Sequence, residues 1–219
     1  MISKELLNKN RVLTISNSKT CGKLIVNFKA NSEGRNTSII IMGINDRKST
    51  KDIIFIKEIH SEDMSELVYK VYWNCREYGI EIVLIDINGY GKGFYDAFKD
   101  RIDGNRVSIR PMNMNRLYTD DIADILKELH SDIEDGRLRF LQTPEIAIFS
   151  YDYTFLGFND IMNSHLETTK LINEIDNMKE ICKLGGRLRL ECKSNEIRRI
   201  RFDCLLLYYG YPLHGKFIK

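Results

Sequence analysis

The sequence predicts an α/β fold: a mixed sheet with three antiparallel strands followed by parallel strands, flanked by helices. Three observations predict it. Three β-like runs, separated by turn-rich stretches, come early in the chain. The apolar period then becomes helical at residue 64. Directly afterwards the unbroken apolar run IVLI, residues 82–85, has the composition of a strand buried on both faces, so the helix before it is a crossover onto the meander.

Residues 1–20 are polar and weakly periodic, which predicts an N-terminal arm ahead of one domain over 21–219. Regular structure starts at GKLIVNF. The expected strands are 23–28, 38–44 and 52–56, with KANSEGRNT and NDRKSTK between them. Met64, Leu67, Val68, Val71, Tyr72 and Cys75 then share one helical face, and Gly79 supplies the stop. A short helix is expected at 94–99 and a strand in RVSI. Ile122, Ile125, Leu126, Leu129 and Ile133 mark an amphipathic helix that starts near Thr119 and ends at Asp135 and Gly136. RLRFLQ and IAIFSYDYTF are β-like. The spacing of Leu171, Ile172, Ile175, Met178 and Cys182 predicts a third helix running to Gly185 and Gly186. RLRLECK reads as a strand, SNEIRR as a turn, and FDCLLLYYG as a short apolar helix or strand. No repeat or linker divides the chain, so its 219 residues form one core.

Composition narrows the function classes. With 43% apolar and 29% charged residues the chain has ordinary globular usage. No apolar run approaches the roughly 20 residues that span a bilayer, and the N-terminus lacks a signal-peptide core, which predicts a cytoplasmic protein without a membrane partner. The five cysteines are scattered without a CxxC pair and read as reduced thiols. Net charge is only +2, yet Arg187, Arg189, Lys193, Arg198, Arg199 and Arg201 crowd into fifteen residues. Such a cluster is either a phosphate-contacting surface or a solvated basic hairpin.

The stretch IVLIDINGYGKGFYDAF invites a phosphate-loop reading, which its residues refuse. A dinucleotide fingerprint would need glycine where Phe94 stands after Gly89 and Gly91. A P-loop would need Ser or Thr at Gly93, after Lys92. Asp86 is the more informative residue, because a carboxylate ending a buried strand is costly unless solvated, paired or bound to a cation. It either caps the next turn or presents an oxygen ligand at a strand end. Asp203, entering the apolar run CLLLYY, poses the same choice: helix cap, salt bridge with Arg199 or Arg201, or cation ligand. If the two acids converge they suit Mg²⁺ or Mn²⁺, hard cations that prefer oxygen.

The order of these elements resembles the RNase H-like fold, and more narrowly the C-terminal nuclease domain of the large terminase subunit of tailed phages. Three stretches carry the resemblance: VLIDINGYGKGFYDAF, MNRLYTDDIADILKELHSDIEDGRLRFL and GGRLRLECKSNEIRRIRFDCLLL. It implies a metal-dependent endonuclease that cuts double-stranded DNA during packaging, with Mg²⁺ or Mn²⁺ held by Asp86 and Asp203. It also implies DNA contacts from Lys92, Arg187, Arg189, Lys193, Arg198 and Arg199. The implied partners are a terminase motor domain, a small terminase subunit and a portal, in the cytoplasm of an infected host. The sequence departs from the family at the opening strand, where Asn27 takes the place expected for an acid and Asn36 that of a second. An amide oxygen can ligate a cation but adds no charge, so Asn27 is either a weakened ligand or a plain polar strand residue. The departure keeps a rival reading open, a catalytically weakened DNA-binding or assembly module of the same machinery.

Overall fold

The computed structural model describes residues 2–12, 22–29, 37–46, 50–102, 107–141, 158–182, 188–193 and 199–214. Seven of the described strands form one sheet: β1 (Arg11–Val12), β2 (Lys23–Lys29), β3 (Thr37–Asp46), β4 (Lys51–Ser61), β5 (Ile82–Asp86), β6 (Ser108–Met112) and β7 (Leu138–Leu141). Their order is β1-β7-β4-β3-β2-β5-β6. The expected meander is present, with β2, β3 and β4 antiparallel, and β5 returns parallel to β2. A crossover helix, α2 (Met64–Glu77), makes that return possible. It is capped by the Asp63 side chain, which accepts from the Ser65 N–H, and closed by Gly79 at φ 58°.

Helices cover both faces of the sheet, so its central strands read as continuous apolar runs. Leu24, Val26, Val83 and Ile85 pack toward α2 and α3 (Gly91–Arg101). The alternate residues Ile25, Ile40, Met42 and Leu84 pack toward α5 (Ile122–Glu134), α6 (Phe158–Asp176) and α7 (Ile200–His214). Between β6 and α5 lies the short α4 (Met114–Arg116), which widens into a π turn over Leu117–Asp121.

Two segments differ from expectation. Part of the predicted arm is ordered: α1 (Lys4–Lys9) buries Leu7, and Arg11–Val12 joins the sheet beside β7. The third helix ends at Asp176, earlier than its apolar spacing suggests. Met178 and Cys182 instead belong to β8 (Met178–Cys182), which pairs antiparallel with β9 (Leu188–Cys192). The Lys193 N–H bonds the Asn177 carbonyl at 2.8 Å, so the chain leaves the helix where a returning strand can engage it. The C-terminal apolar run, helix or strand from sequence, is helix. The β-like run IAIFSYDYTF lies outside the described residues.

Candidate metal centre

Asp86 is the last residue of β5, and only 7% of it is exposed. Two glycines shape the turn that follows. Gly89 sits at φ +56°, and a Cβ on Gly91 would lie 1.8 Å from the Asp86 carbonyl oxygen, so only glycine lets α3 start directly over the strand end. The Asp86 carboxylate is oriented through Oδ1, which accepts from the Asn88 N–H (3.2 Å), the Asn88 Nδ2 (2.7 Å) and the Met114 N–H (3.3 Å). No described residue donates to Oδ2. Burial raises the carboxyl above the usual carboxylate range, against these three bonds.

Asp203 lies in the first turn of α7, with its side chain 17% exposed. Its Oδ1 accepts from the Tyr118 hydroxyl at 2.5 Å and faces the Arg199 Nε at 3.5 Å; again no described residue donates to Oδ2. The Arg199 guanidinium also stacks 4.5 Å from the Tyr118 ring centroid. Burial pushes the Asp203 carboxyl up to about 6, opposed by Tyr118 and Arg199 and reinforced by the negative charge of Asp86. The two acids therefore share one electrostatic site. Met114 and Tyr118, one turn apart, bridge them, Met114 holding Asp86 and Tyr118 holding Asp203.

Asn27 is in the same row. Val26 is in register with Ile85, so one step on, Asn27 lies level with Asp86 on the neighbouring parallel strand. Its amide is engaged with the backbone: Oδ1 accepts from the Phe28 N–H at 2.8 Å, and Nδ2 donates to the Ile200 carbonyl at 3.3 Å. Sequence alone gave no hint that Asn27 would tether the helix bearing Asp203.

Arg201, counted from sequence among surface cations, is buried at 8% exposure. Its guanidinium meets Glu167, Glu174 (2.8 Å) and Glu58 (3.3 Å), while Glu174 also accepts from the Phe202 N–H at 2.9 Å. The first turn of α7 is thus tied to α6 and β4. Lys92 and Lys193 are exposed. Arg189 lies on β9, its side chain outside the described set, and Arg187, Arg198 and Asn36 lie outside the described residues.

The donor set fits a hard divalent cation: two carboxylates, each tied through Oδ1 with Oδ2 open, raised by burial and, at Asp203, by the neighbouring acid. It is a pair rather than a cluster. Among the described residues no group of three or more His, Cys, Asp or Glu could hold a metal ion.

The mixed seven-stranded sheet and its flanking helices define an RNase H-like fold. Solved structures that resemble the chain include phage large terminases and separate nuclease domains of large terminases. The HK97 bacteriophage large terminase matches at 13% identity and a TM-score of 0.54, over 95% of this chain and 43% of that one. The nuclease of the thermophilic phage G20c with bound magnesium matches at 12% identity and 0.53, over 95% and 97% of the two chains. A mutant nuclease domain of the large terminase subunit gp2 of bacterial virus Sf6, with manganese and beta-thujaplicinol, matches at 12% and 0.60, over 94% and 95%. At such identities the likeness establishes the fold. The chain spans less than half of the HK97 protein and nearly all of the separate nuclease domains. No family model matches the sequence, and no curated protein matches it either.

Proposed function

We propose that this chain is the metal-dependent endonuclease domain of a phage DNA-packaging terminase, cutting double-stranded DNA by two-metal-ion phosphodiester hydrolysis. The observation that carries the reading is the pairing of Asp86 with Asp203 at the end of a buried parallel strand. Mg²⁺ or Mn²⁺ held there would activate a water and stabilise the leaving oxygen. Asp86 and Asp203 present the open oxygens. Asn88 and the Met114 N–H orient one acid, and Tyr118 and Arg199 the other. Arg199, with Lys92, Arg187, Arg189, Lys193 and Arg198, would meet backbone phosphates, the contacts that position DNA without reading its sequence. A motor domain, a small terminase subunit and a portal complete the proposed machinery, in the host cytoplasm.

The amide of Asn27 favours a second reading, a weakened DNA-binding or assembly module, because it contributes no charge and is bonded to backbone. A plasmid-nicking assay with Mn²⁺, run beside Asp86→Ala, separates the two. Cleavage that the substitution reduces at least a hundredfold supports the enzyme. No cleavage at any metal concentration leaves the module, and undiminished cleavage by the variant removes the proposed site.

A further inference from the structure

Away from the acids, a groove of about 680 Å³ opens between α2 and α6, with the last residues of β4 as its floor. Of the four large hydrophobic side chains exposed among the described residues, three line it: Tyr69 at 45%, Trp73 at 47% and Leu166 at 48%. Cations accompany them. Lys57, Lys70 and Lys170 line the groove, while Arg76 and Arg101 lie against the Trp73 and Tyr69 rings, 5.5 and 5.4 Å from their centroids. Glu58 and Glu167 are both drawn onto the Arg201 guanidinium, Glu167 also pairs with Lys170 at 2.5 Å and Glu66 with Lys70 at 2.7 Å, so with Lys57, Arg76 and Arg101 the balance around the groove stays positive.

Topology puts this groove on the same rim of the sheet as the acid pair. The C-terminal ends of β2, β4 and β5 point the same way, and Glu58 pairs with Ile40, which pairs with Asn27. From β5 to β4 is three strand steps, about 14 Å, or about four base steps along one strand of a duplex.

From this juxtaposition we propose that the groove binds a single-stranded segment of DNA, its bases stacked on Trp73 and Tyr69 and its phosphates met by Lys57, Lys70 and Lys170. Aromatic faces beside cations form a stacking platform that tolerates any base. The charge complements a polyanion, and the rim leads from the groove to the acids. The proposal rests on the reading of the chain as a DNA-cutting domain and places a frayed strand a few nucleotides from the cut.

Trp73 is the only tryptophan, so its fluorescence reports on the groove alone. The test titrates the metal-free Asp86→Asn protein, which does not need to cleave, with an oligothymidylate of about 12 nucleotides, within the usual single-strand site sizes. Quenching is expected. By anisotropy of a labelled oligonucleotide, Trp73→Ala should weaken binding about tenfold, Trp73→Phe should restore most of it, and Lys170→Ala should lower the salt dependence. Absence of quenching, or equal binding by Trp73→Ala, overturns the proposal. Quenching by an acidic peptide but not by the oligonucleotide overturns it in favour of a protein partner. Nicking activity without groove binding would leave the nuclease reading standing alone, and groove binding without nicking the reverse.

Discussion

Asp203 carries a clear electrostatic signature. Its carboxyl is raised from 3.8 to about 6 in the folded chain, so the folded state holds its proton more tightly than the unfolded state. The stability this contributes is complete below pH 3.8 and is lost as pH rises through 6. At about 1.4 kcal/mol per unit, ionised Asp203 costs the metal-free protein at most about 3 kcal/mol near pH 7.5, an upper figure because the side chain keeps some contact with water. Asp203→Asn should therefore raise the melting temperature in EDTA at pH 7.5 and make little difference at pH 4. Mn²⁺ should stabilise the parent chain more than the variant. Asn27 supplies a complementary test. Asn27→Asp adds charge to the site but sets a carboxylate oxygen against the Ile200 carbonyl, so Mn²⁺ affinity should rise about tenfold or more by calorimetric titration while metal-free stability falls. Unchanged affinity would place Asn27 outside the site. At this scale the sequence singled out the two acids that the fold brings together, because an ionisable residue beside an apolar run is conspicuous. It could not show Tyr118, whose phenol has no local mark, or the burial of Arg201, which sits among exposed-looking arginines until α6 and β4 surround it.

At the scale of elements, the turn from β5 into α3 makes the sharpest prediction. Gly91→Ala would drive a methyl into the Asp86 carbonyl, and overpacking of that kind costs about 1–3 kcal/mol or more. Two residues on, a Cβ at Gly93 meets nothing within 4 Å, so Gly93→Ala should stabilise α3 by about 0.5–1 kcal/mol. Denaturant titration of the two variants should give shifts of opposite sign, and only Gly91→Ala should also weaken Mn²⁺ binding. Most elements were legible locally, α2 and α5 from a repeat of 3.6 and the meander and β5 from short apolar runs bounded by turns. The end of α6 was not. Met178 and Cys182 continue a helical spacing, and only pairing with Leu188–Cys192, decided by chain that comes later, makes them a strand.

Over the whole molecule, the guanidinium of Arg201 joins β4, α6 and α7, three elements far apart in sequence. Three carboxylates surround one cation, and burial pushes the Glu174 carboxyl up to about 7 despite its bonds to Arg201 and the Phe202 N–H. Arg201→Met would strand these acids in the interior at about 3–5 kcal/mol, a fall in melting temperature of roughly 10 °C for a chain of this size by calorimetry at neutral pH. Acidification should recover part of it as the glutamates take up protons. No local pattern in the sequence announces this network, because its acids stand 27, 34 and 143 residues from Arg201.

The same wiring sets a timetable. The strands from Lys23 to Asp86 are nearly contiguous and can pair while the chain is still emerging from the ribosome, but Arg11 must wait for Phe140, and Asp86 gains its acidic neighbour only when the helix bearing Asp203 docks. Assembly of the acid pair thus follows formation of the sheet. A chain truncated before α7 has a sheet without the acid pair, so any chemistry that needs both acids is withheld until that helix is in place.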